Sequence, residues 1–145
     1  MTPVIIEGRI RNKKLVLPYV YKVLTELGIH RFRRKCIVIQ FVTECDSGAA
    51  GYTYDHCEDI TYVEIARAVD GVNNGFLYMM KVLAHELVHV KQYWRKELCG
   101  DGGWTWKGKD AKNYSYYNQP WEKEAYGRED KLFNECFDFD ARFTN

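Results

Sequence analysis

Phe76-Leu77-Tyr78-Met79-Met80-Lys81-Val82-Leu83-Ala84-His85-Glu86-Leu87-Val88-His89-Val90-Lys91-Gln92-Tyr93-Trp94, running on into Arg95-Lys96-Glu97-Leu98, is the longest helical pattern in the chain. Met80, Ala84, Leu87 and Trp94 fall on one side of it, and Tyr78, Val82, His85, His89 and Gln92 share another. A helix that is apolar on several faces belongs in the middle of a fold, so a central, buried helix is predicted from Phe76 to about Leu98. Lys91, Arg95 and Lys96 fall in its last turns, where cations suit the negative end of the helix dipole. Gly100 is the predicted stop.

The same stretch carries chemistry. His85 and His89 are four residues apart, so their side chains stack on one helical face, one turn above the other. Both imidazoles can then reach one tetrahedral ion at about 2.0–2.1 Å. Glu86, one step from His85, diverges from that pair and stands beside the metal rather than on it, where its carboxylate can accept a proton from an activated water. Two histidines and a glutamate buried together with no metal would be costly.

Working outward, Cys36-Ile37-Val38-Ile39-Gln40-Phe41-Val42 and Ile60-Thr61-Tyr62-Val63-Glu64-Ile65-Ala66 are β-branched and aromatic and read as strands. Tyr52-Thr53-Tyr54 follows the turn cluster Asp46-Ser47-Gly48-Ala49-Ala50-Gly51 and reads as another. Val4 to Ile10 is a further short candidate. Leu17, Val20, Leu24 and Leu27 recur at helical spacing, with Pro18 suited to a first turn and Gly28 to a C-terminal cap. A last helix is predicted from Gln119 or Pro120 to Phe139, with Asn118 as N-cap. Between the last two helices, residues 101–119 are rich in Gly, Trp and Tyr and read as an ordered aromatic loop, because disordered segments are poor in aromatics. The fold class expected is α+β, in a single domain spanning 1–145.

Composition narrows the function. No apolar run approaches the roughly 20 residues that cross a bilayer. Met1 to Arg11 lacks the apolar core of a secretory signal, so a cytoplasmic protein is expected. The five cysteines, Cys36, Cys45, Cys57, Cys99 and Cys136, are odd in number and form no C-x-x-C pair, which argues against a disulfide framework and a zinc ribbon. Cys36 and Cys136 sit in apolar runs and are expected in the core. The net charge is +1, but residues 1–40 carry nine Lys/Arg against two Asp/Glu. That basic front end includes Arg31, Arg33, Arg34 and Lys35 around Phe32, which leaves a nucleic-acid partner as a weak expectation beside an ordinary solvated face.

A third metal ligand must come from another segment. Pro120-Trp121-Glu122-Lys123-Glu124-Ala125-Tyr126 is the strongest source. Glu122 shares a stripe with Tyr126, whereas Glu124 lies 200° round the helix, so Glu122 is preferred. A first-turn Glu also suits the helix dipole. His56, His30 and Cys99 are weaker candidates.

His85-Glu86-Leu87-Val88-His89 followed by Glu122-Lys123-Glu124-Ala125-Tyr126 resembles the zincin-like metallopeptidases of the gluzincin type, and is similar to their small single-domain members in phage and bacteria. The resemblance implies an N-terminal helix, a small mixed sheet of three to four strands, a central active-site helix, and a C-terminal helix supplying the third ligand. It implies one zinc ion on His85, His89 and Glu122, with Glu86 as general base in peptide-bond hydrolysis. The family's oxyanion-stabilising residue has no motif here: Tyr114, Tyr116, Tyr117 and Tyr126 are all candidates, and Tyr126 is the one favoured. An edge strand preceding the active helix would pair with an extended protein or peptide substrate, which places Thr61, Val63 and Ile65 at the substrate. A zinc-binding regulatory or partner-binding module on the same fold is the alternative, and a fourth protein ligand in place of an open position would mark it.

Overall fold

The computed structural model describes residues 1–55, 59–100 and 103–145. It is a mixed α/β arrangement of three helices and small sheets. β1 (Val4–Glu7), β2 (Cys36–Val42), β3 (Gly51–Tyr54) and β4 (Ile60–Ala66) form one four-stranded sheet in the order β1-β2-β4-β3. β1, β2 and β4 run parallel, and β3 is antiparallel to β4. β5 (Ala68–Val69) and β6 (Val72–Asn73) make a short ladder leading into helix α2 (Phe76–Trp94). α1 (Lys13–Leu27) crosses from β1 to β2, and α3 (Pro120–Cys136) closes the chain.

The strand pattern explains the layering. Side chains alternate across a strand. Ile37, Ile39 and Phe41 of β2 and Val63 and Ile65 of β4 therefore point together into one core, which they share with Val20, Val23 and Leu24 of α1 and Met80, Leu83, Leu87 and Val88 of α2. α2 packs against β3, β4, α1 and α3, so it is central and buried as its pattern predicts. Burial of each such aliphatic side chain stabilises the fold by about 1.5–3 kcal/mol. Thr61, almost fully buried, is satisfied within this core: its Oγ1 accepts the Trp94 indole N–H at 2.8 Å and donates to Asp55 at 3.0 Å.

Val63 and Ile65 do not lie on an edge: β4 is paired with β2 along its length and with β3 over Tyr62 to Ile65, so that stretch has no open side for a substrate. Thr61 lies one residue beyond the β3 ladder, with its side chain buried. Among the described residues, the strand at the rim of the sheet next to α2 is β3. Hydrophobic alternation reports which face of a strand is buried and carries no information on strand order, which is why the longer strand reads as the edge in sequence.

Helix ends differ from the sequence reading in four places. α1 begins at Lys13, after Asn12 in the left-handed conformation, and Pro18 sits more than a turn inside it. Asn12 also binds the C-terminal segment through both amide atoms, at 2.7 and 3.1 Å to Thr144. α2 stops at Trp94, short of Leu98. Lys96 takes φ 59, its N–H reaches Tyr93 O, and the Glu97 N–H reaches Gln92 O, which is the Schellman reversal usually built on glycine. α3 ends at Cys136 with Phe137 as C-cap, and its N-cap is Gln119, while Asn118 belongs to a 3-10 turn, Tyr116–Asn118. Gly28 caps α1 at φ 72, as expected.

The aromatic segment is ordered and partly extended. β7 (Leu98–Cys99), β8 (Thr105–Trp106) and β9 (Lys109–Asp110) form a small antiparallel sheet. Leu98, Ala111 and Trp121 build a second buried cluster beneath it. Among the described residues Cys36, Cys45, Cys99 and Cys136 are free thiols; Cys45 and Cys136 are buried and Cys36 only half-buried. His56 and Cys57 lie outside the described residues. In the basic link, Phe32 packs on Trp94 with ring centroids 5.2 Å apart, and Lys35 lies over the same indole at 5.8 Å. Among the described residues, no helix is long and apolar enough to cross a membrane.

Candidate metal centre

His85 and His89 project from the middle of α2 toward the first turn of α3, where Glu122 meets them. Glu122 Oε1 lies 3.1 Å from His85 Nε2 and 2.7 Å from His89 Nε2. All three side chains are buried, and their ligand atoms lie within 4.8 Å of one another, so the group could hold a metal ion. Ligand atoms on a tetrahedron with 2.0–2.1 Å bonds stand about 3.3 Å apart, so the two contacts already have nearly the required spacing. Among the described residues, three ligand atoms converge and no fourth joins them.

Residues behind the ligands set their tautomers. Gln92 lies three residues after His89 on the same face and is fully buried. Its amide nitrogen donates to Trp121 O at 2.9 Å and to Glu124 Oε1 at 2.8 Å. Its oxygen therefore faces His89 and accepts the Nδ1–H at 2.8 Å, which leaves Nε2 as the nitrogen aimed at Glu122. Glu129, seven residues after Glu122, stands 3.5 Å from His85 Nδ1 and plays the matching part there. Glu124 faces away from the cluster: Lys91 binds it at 2.7 Å and Arg128 at 3.4 Å. Burial opposes its charge, but Lys91 and Gln92 outweigh that and hold its pKa below the ordinary value.

The ligand group is electrostatically coupled. Burial by itself disfavours an imidazolium at His89. The hydrogen bond and charge of Glu122, with Glu86 and Gln92, more than offset this and raise His89 to about 9. Glu122 shows the converse: burial works against its carboxylate, yet the two histidines hold its pKa far below the usual range. A cation held between these groups would replace the proton they otherwise share.

Glu86 stands beside the cluster, with Oε2 4.0 Å from His85 Nε2. Thr53 of β3 donates to Glu86 Oε1 at 2.8 Å and fixes the carboxylate. Gly51, two residues earlier on the same face of β3, explains how the strand comes so close. A Cβ there would lie 2.9 Å from Glu86 Cγ and 2.7 Å from Val82 Cγ1, so only glycine fits.

Glu86, His89 and Glu122 open into a cleft of about 430 Å³. Tyr116 and Tyr114 line it. Tyr126 instead packs its ring edge-on against His85 with centroids 4.6 Å apart, and its hydroxyl lies 3.2 Å from that of Tyr116. Burial, the bond to Tyr126 and the nearby Glu122 carboxylate push the Tyr116 phenol well above its ordinary pKa, so it is a donor throughout the neutral range. His30 and Cys99 are not in the cluster: the His30 carbonyl accepts the Thr2 N–H, and the Cys99 thiol lies against Lys96 O.

Gln92 shares the histidine face in the sequence with nothing to mark its role, and the signal for Glu129 is the spacing 122, 126, 129, which puts all three on one stripe of a helix. Thr53 and Gly51 act across the sheet, and nothing in the local pattern signals them. No protein-family model, no curated protein sequence and no solved structure matches this chain.

Proposed function

We propose that the protein is a zinc-dependent metallopeptidase of the zincin-like type, with His85, His89 and Glu122 as ligands and Glu86 as general base. One observation carries this reading: two imidazoles from one helix and a carboxylate from the next converge on a single point, while a second carboxylate stands beside that point without joining it. Two nitrogens and one oxygen are a donor set of catalytic zinc, which keeps a fourth position open. The mixed α/β arrangement, with the histidines on a central helix and Glu122 on the following one, is consistent with this reading.

Zinc, when bound, supplies Lewis acidity that makes a water nucleophilic near neutral pH. The chain does the rest. Glu86, oriented by Thr53, takes the proton and returns it to the leaving amine. Tyr116 donates a hydrogen bond to the developing oxyanion, and Tyr126 holds its hydroxyl in place. This reading moves the electrophilic role from Tyr126 to Tyr116, the residue that lines the cleft. β3, the rim strand next to α2 among the described residues, takes over from Thr61, Val63 and Ile65 as the strand that would pair with an extended peptide, through Gly51 to Thr53.

The test is metal analysis of the wild type, Glu86→Gln and Glu122→Ala, together with hydrolysis of unfolded protein and peptides. The expected result is one zinc per chain in the wild type and Glu86→Gln, none retained in Glu122→Ala, and hydrolysis by the wild type alone. Full activity of Glu86→Gln would overturn the base assignment. A zinc-loaded wild type that cleaves nothing would favour a partner-binding module instead.

A further inference from the structure

We propose that the cleft beside Glu86 is a specificity pocket for a large apolar or aromatic side chain next to the bond being cleaved; this rests on the peptidase reading and names its substrate class. The pocket lies between β3 with its preceding turn on one side and described residues of the connection from α2 to α3 on the other. Its floor is the small buried cluster of Leu98, Ala111 and Trp121, which is separate from the main core. Its walls are aromatic and exposed. Tyr52, Trp104, Tyr114 and Tyr116 are each more than 40% exposed, and all four line this one cleft. Apolar surface left open to water and gathered in one concavity marks a place where an apolar partner is bound.

Ring geometry supports a fixed wall. Trp104 stacks on Trp121 with centroids 6.1 Å apart and planes 22° apart, and Tyr114 meets Trp121 edge-on. The charges within reach are already committed. Glu86 is bonded to Thr53 and Glu122 to the two histidines, while the ammonium of Lys112 is two-thirds exposed, 3.8 Å from Asp110. A charged substrate side chain in this pocket would lose water with no buried partner to replace it. An aromatic ring would meet faces and edges of other rings at favourable distances.

The experiment uses the zinc-loaded Glu86→Gln protein and decapeptides of one sequence, varied at a single central position among Phe, Leu, Ala, Asp and Lys. Binding is read by fluorescence anisotropy, and the same peptides are offered to the wild type for cleavage. The Phe peptide should bind at least about 10-fold more tightly than the Ala, Asp or Lys peptides. Trp104→Ala, at an exposed position, should erase that preference, and Ala111→Leu should shift it toward smaller side chains, both with unchanged zinc content. Selective binding without cleavage would uphold the pocket and overturn the peptidase reading. Cleavage or binding indifferent to the central residue would overturn the pocket alone. Absence of both would overturn the two together.

Discussion

Raising the pH from 7.0 to 8.5 should tighten metal binding by the metal-free protein about 25-fold, through His89 alone. With its pKa raised to about 9 by Glu122, His89 carries a proton on about 99% of molecules at pH 7.0 and on about three-quarters at pH 8.5. Only the unprotonated imidazole binds metal, so the competent fraction rises from about 1% to about 24%. An imidazole at the ordinary 6.5 would change the affinity less than about 1.5-fold over the same range. Calorimetric titration in buffers of differing ionisation enthalpy gives both the affinity and the number of protons released. The expected result is at least one proton per metal at pH 7.0. The sign for stability runs the other way: a folded-state pKa above the unfolded value stabilises the metal-free fold below about 6.5 and is lost as pH rises through about 9, on the order of 3 kcal/mol. Urea midpoints of the metal-free protein should fall across that window. Binding that is flat from pH 7.0 to 8.5, with no proton released, would refute the shared-proton account of the cluster.

Gly51→Ala should cost about 1–3 kcal/mol in thermal or denaturant unfolding, because the new Cβ meets Val82 and Glu86 inside contact distance; zinc content should stay at the wild-type level while turnover falls. Gln92→Leu removes the acceptor that fixes the His89 tautomer, and equilibrium dialysis should show metal affinity lowered about 10–100-fold. Thr2→Val leaves the Ile29 carbonyl and the Phe32 N–H without their buried partner; the denaturation midpoint should drop by an amount equivalent to about 1–3 kcal/mol, with metal binding unaffected.

The two long strands were legible to the residue, Cys36–Val42 and Ile60–Ala66, because runs of β-branched residues bounded by polar turns allow little else. The meeting of Glu122, rather than Glu124, with the histidines was also legible, because 100° per residue decides which carboxylate shares the Tyr126 stripe. The end of α2 was not. The reversal sits on Lys96, a residue type that gives no signal for a left-handed backbone, and Gly100 attracted the stop that Lys96 provides. Strand order was hidden for a different reason: β3 holds only four residues, and its place at the rim depends on Gly51 clearing α2, which is a contact across the fold. The mini-sheet of β7, β8 and β9 is indistinguishable from loop in the sequence, because two-residue strands have no periodicity to detect.

Trp121 and Glu122 are consecutive, and they serve different neighbourhoods: one supports the aromatic wall and the other closes the metal cluster. A shift of backbone that repositions the indole therefore drags a ligand with it. Variation that retunes what the cleft accepts is confined to places such as Trp104 or Ala111, which can change size while the helix start stays where it is. A lineage exploring new substrates would thus be expected to keep this dipeptide fixed and to drift around it.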